Sequence, residues 1–76
     1  MSNTKPYYTV IGSPVDYEKL VAYVFVKGKC VALINQDNGT DDIRIELLDE
    51  NTRGKGIEFN ILIEALHDAK RILLNE

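Results

Sequence analysis

A chain of 76 residues with a net charge of −3 has room for one hydrophobic core and little else, so residues 1–76 are expected to form a single domain. Hydrophobic residues make up 45% and charged residues 28%, a balance that excludes a disordered chain. The acidic excess argues against direct contact with nucleic acid, which needs clustered lysine and arginine.

In chain order, the first element is PYYTVIG (6–12), rich in β-formers and expected as a short strand. SPVDYE (13–18) is a connection, with Pro14 suited to a turn. KLVAYVFVKGKCVALINQ (19–36) carries two β-rich runs around Lys27-Gly28, the pattern of a hairpin with a two-residue loop. A regular hairpin sets Val26 against Lys29, Val24 against Val31 and Ala22 against Leu33. Val21, Tyr23, Phe25, Cys30, Ala32 and Ile34 then share the other face, so both faces are apolar.

DNGTDD (37–42) is a polar turn, and IRIELLD (43–49) alternates, with Ile43, Ile45 and Leu47 expected inward and Arg44 and Glu46 outward. ENTRGKG (50–56) is a loop, after which IEF is a candidate short strand. Residues 60–76 are expected to form the one substantial helix, with Asn60 as its cap and Leu62, Leu66, Ala69 and Leu73 as its buried stripe, widened by Ile61, Ala65 and Ile72. The fold class is α+β: an antiparallel sheet of four to five strands in meander hairpins, with one C-terminal helix on one face. A helix ~10–12 Å wide over strands ~4.8 Å apart shields two or three of them. Apolar sheet surface is therefore left for the N-terminal segment, a second copy or another protein.

Chemistry is sparse. In TRGKGIEFN (52–60), Arg53 and Gly56 resemble the pyrophosphate-binding run of GNAT acyltransferases, which would make this a truncated acyltransferase-like enzyme. Glu58, however, puts a carboxylate where backbone amides should approach the phosphates. One histidine, His67, and one cysteine, Cys30, supply neither a standard zinc site nor a nucleophile–base pair with encouraging spacing. No catalytic residue, metal ligand or cofactor is therefore expected. A lone thiol, no apolar run of signal-peptide length and no run of ~20 apolar residues point to a cytoplasmic protein off the membrane.

Residues 37–50 hold half of the twelve acids: Asp37, Asp41, Asp42, Glu46, Asp49 and Glu50. Such a cluster either forms a solvated hairpin edge or steers a basic partner. The four tyrosines add candidate interface anchors.

DYEKLVAYVFVKGKCVALINQDNGTDDIRIEL, followed after a loop by NILIEALHDAKR, resembles immunity proteins of contact-dependent growth inhibition and related bacterial polymorphic toxin systems. The resemblance covers residues 16–71. It implies a non-catalytic toxin inhibitor that binds a cognate toxin domain, a basic protein such as a nuclease. On that reading Asp41, Asp42, Glu46, Asp49 and Glu50 supply electrostatics, with Tyr23 and Phe25 as anchors. Other binding roles fit size and charge equally: a phage anti-defence inhibitor, an antitoxin-like protein or a homodimer.

Overall fold

The computed structural model describes residues 5–48 and 56–75. Four strands, β1 (Tyr7–Gly12), β2 (Val21–Val26), β3 (Lys29–Asn35) and β4 (Arg44–Leu47), are followed by one helix, α1 (Phe59–Leu74). The strands form an antiparallel meander in the order β1-β2-β3-β4. This is the expected α+β architecture. The β2–β3 connection is the two-residue turn, with Lys27 at φ 53° and Gly28 at φ 85°. Positive φ at both central positions matches the twist of the flanking strands.

The β2–β3 register departs from the regular hairpin. Val26 and Phe25 pair with Lys29 and Cys30 as a two-residue turn requires, but Val24 pairs with Ala32 and Ala22 with Ile34. Val31 is the extra residue of a β-bulge, and everything beyond it changes faces. Ala32 and Ile34 therefore join Ala22 and Val24 under the helix, and Leu33 turns to the opposite face beside Tyr23. Sequence periodicity has no signal for this, because every residue of VALI is apolar and either phase looks satisfactory.

The helix buries Ala65, Ala69 and Leu73, one residue per turn, with Ile61, Leu62 and Leu66 packed at the flanks. Within the expected apolar face the centre is shifted: Ala65, expected at its margin, is fully buried, while Leu62 and Leu66 are only partly covered. Small alanines let α1 lie close over β1 and β2, the strands it packs against. Fully burying Ile34 and Leu73 contributes about 1.5–3 kcal/mol each.

Asn60 is not the cap. Glu58 precedes the helix, makes no side-chain cap bond, and instead pairs with Lys27 at 2.6 Å, tying the hairpin turn to the helix start. IEF forms no strand: Ile57 packs on the core and Phe59 opens the helix.

The last strand is shorter than IRIELLD suggests and exposed at all four residues. Ile45 and Leu47 share the helix side with Ile34 and Ala32, their partners in β3. They are not inward: α1 lies two strands away, leaving Ile45 50% and Leu47 60% exposed. Only Ile43 reaches the core.

Candidate functional site

Alternation along each strand builds the sheet face opposite the helix from Tyr8 and Val10 of β1, Tyr23 and Phe25 of β2, Leu33 and Asn35 of β3, and Arg44 and Glu46 of β4. This face has two halves of different character.

The β3–β4 half is locked at one end by the loop from β1 to β2. Asp37 accepts hydrogen bonds from the backbone amides of Glu18 and Lys19 at 3.2 and 3.1 Å, fixing that loop to the end of β3. The Tyr17 hydroxyl crosses to β4 and donates to Glu46, and Asn35 Nδ2 donates to the same oxygen at 3.1 Å. Beneath this strap Val21, Leu33 and Asn35 are buried. With its proton held by the Glu46 carboxylate, the Tyr17 phenol is pushed up to about 12, burial adding to the effect.

The β1–β2 half is open and aromatic. Tyr8 and Phe25 are register partners whose rings stack at 4.8 Å between centroids and 5° between planes. Tyr23 lies along Gly12, where an added Cβ would come within 2.7 Å of the ring. Tyr8 is 50% and Val10 43% exposed, while Tyr23 and Phe25 are half-buried.

The predicted site residues are not gathered in one place. Tyr23 and Phe25 lie on the open face, away from the helix. Asp41 and Asp42 lie in the β3–β4 turn, and Glu46 on β4. Asp42 is held by Arg44 through two bonds of 2.8 and 3.0 Å, which keeps its carboxyl below the usual range. Glu46 is engaged by Tyr17 and Asn35, so the acidic turn carries less free charge than its composition implies. Asp49 and Glu50 lie outside the described residues.

Sequence reasoning named Tyr8 only as one of four tyrosines suited to an interface, and did not single out Val10. Alternation in YYTVIG puts them on one face, but only the β1–β2 register shows that this face is the one shared with Tyr23 and Phe25.

Of the GNAT-like run, Arg53, Gly54 and Lys55 lie outside the described residues, while Glu58 is committed to Lys27. His67 lies on the helix side of the sheet, where it lines a groove with Ile43, Ile45 and Leu66, whereas Cys30 pairs with Phe25. The two are not brought together. Among the described residues, no cluster of three metal-ligating side chains occurs and no helix is long and apolar enough to cross a membrane.

No family model, no curated protein and no solved structure matches the chain. The aromatic half-face and its strapped neighbour are therefore the basis for a functional reading.

Proposed function

We propose that this chain is a cytoplasmic, non-catalytic binding protein of the immunity class, which docks a cognate toxin domain on the β1–β2 half of its open sheet face. The observation that carries the reading is the Tyr8–Phe25 stack, flanked by Val10 and Tyr23 on a face the helix does not cover. Rings already stacked in the free chain lose little side-chain entropy on docking, and aromatic anchors of this kind dominate binding energy. Asp41 in the β3–β4 turn, with the chain's net charge of −3, biases the approach towards a basic partner such as a nuclease. The sequence resemblance to immunity proteins points the same way.

The test is co-expression with the product of the gene immediately upstream, under conditions where that product alone arrests growth. The wild-type chain restores growth and co-purifies in a one-to-one complex. The Tyr8→Thr/Phe25→Thr double variant, matched in circular dichroism, does neither. A harmless upstream product, or a pair that stays apart even at low salt where steering is strongest, contradicts the proposal.

A further inference from the structure

The outer edge of β4 is a second feature, separate from the aromatic half-face. Leu48 N donates to Val31 O at 3.1 Å, and Ala32 pairs with Leu47. In an antiparallel ladder, hydrogen-bonded and non-hydrogen-bonded pairs alternate. Val31–Leu48 is hydrogen-bonded, so Leu33–Glu46 and Asn35–Arg44 are too. The N–H and C=O groups of Ile45 and Leu47 therefore point away from β3, to an edge with which no described strand pairs. The side chains of both are exposed, and Ile45 lines a mainly apolar groove of about 270 Å³ with Ile34, Ile43, Ile63 and Leu66, rimmed by His67 and Lys70. Free amides, apolar side chains and an adjoining apolar groove together make an edge suited to receiving a strand.

The charges on the other side of β4 say which strand. We propose that β4 pairs antiparallel with β4 of a second copy of this chain, about a two-fold axis at Ile45. In that register Ile45 faces Ile45 of the second copy, and their outward amides form a hydrogen-bonded pair. Arg44 faces Glu46 of the second copy and Glu46 faces Arg44 of the second copy, at the closer, non-hydrogen-bonded positions. The bonds to Asp42 use Arg44 Nε and Nη2, and those from Tyr17 and Asn35 use Glu46 Oε2, so Nη1 and Oε1 remain for the cross-copy pair. A shift of two residues one way sets Arg44 against Arg44 of the second copy; the other way sets Glu46 against Glu46 of the second copy. A shift of one residue brings an outward amide opposite an inward one. The sequence RIE on an edge strand is thus self-complementary in one register only. The result is an eight-stranded sheet with both helices on one side, flanking a seam of Ile43, Ile45, Leu47 and Ile63. The aromatic half-face lies at the far strands of each copy, so this pairing does not depend on the toxin-binding reading.

Sedimentation equilibrium over a range of concentrations tests it. The wild-type chain moves from 8.6 kDa to twice that mass as concentration rises. Arg44→Glu alone and Glu46→Arg alone each raise the midpoint about tenfold or more, since two attractive pairs become repulsive. Mixing these two variants restores a dimer, now a heterodimer, because every charged pair is again opposite in sign. That rescue separates edge pairing from a folding defect. Ile45→Pro removes the outward donor without touching a β3 hydrogen bond, and yields a monomer. A wild-type chain that stays at 8.6 kDa into the millimolar range overturns the proposal. So does a dimer whose midpoint ignores the charge variants, or single variants that do not recombine.

Discussion

Tyr17 ties a loop to a strand through one proton. Because Glu46 accepts a hydrogen bond from the protonated phenol, the group ionises at about 12 in the folded chain against about 10 in the unfolded one. A raised folded value means that the contact's stabilisation is complete below about pH 10 and is lost as pH rises through 12. In an ultraviolet titration of tyrosinate, Tyr7 is also late, raised by burial and by Asp68 and Glu64, and the Tyr17 phenol is expected to ionise well after an unperturbed tyrosine. Glu46→Gln brings it back towards about pH 10; an unchanged curve contradicts the assignment.

Gly12 makes a second residue-scale prediction. It needs no positive φ, and what it provides is space for the Tyr23 ring. Gly12→Ala destabilises the chain by about 1–3 kcal/mol in urea unfolding, as overpacking does. Combined with Tyr23→Thr, the same substitution costs little, because the ring it collides with is gone.

Among the elements, the helix is governed by its small residues. Ala65 and Ala69 are fully buried where α1 crosses the sheet, so Ala65→Leu inserts volume into a closed interface and costs about 1–3 kcal/mol in the same assay. At exposed Leu74, on the same helix, a polar substitution is expected to stay within about 0.5 kcal/mol.

Strand order, the Lys27-Gly28 turn and the single helix were legible because local patterns specify them: alternation, a two-residue glycine turn and a 3.6-residue period. The bulge at Val31 was not, since four consecutive apolar residues carry no phase. Nor was the helix start. Asn60 has the chemistry of a cap, yet the cap position falls two residues earlier, at Glu58, whose carboxylate pairs with Lys27, distant in sequence. Among the site residues, Phe25 and Tyr23 could be read from the hairpin, whereas the Tyr8 stack depends on pairing between β1 and β2. The acidic cluster misleads at the sequence level, because Asp42–Arg44 and Glu46–Tyr17 are side-chain partnerships that composition does not display.

For the whole molecule, one helix on a four-stranded sheet divides the surface in a fixed way. The helix seals β1 and β2 from one side and leaves β4 bare; the Tyr17 strap closes part of the other side, over β3 and β4. Among the described residues, the surfaces left open include the aromatic half-face on β1 and β2 and the outer edges of the two end strands, β1 and β4. The aromatic half-face and the β4 edge lie at opposite ends of the sheet, so the proposed self-pairing would leave the rings uncovered.

The docking claim is tested most directly by calorimetric titration of the purified upstream gene product with the wild-type chain and with Tyr8→Thr/Phe25→Thr. The account predicts one-to-one binding by the wild type and affinity lower by about thirtyfold or more for the double variant, the loss expected of interface anchors worth about 2 kcal/mol or more. Equal affinities for the two chains, with the variant folded, would contradict it.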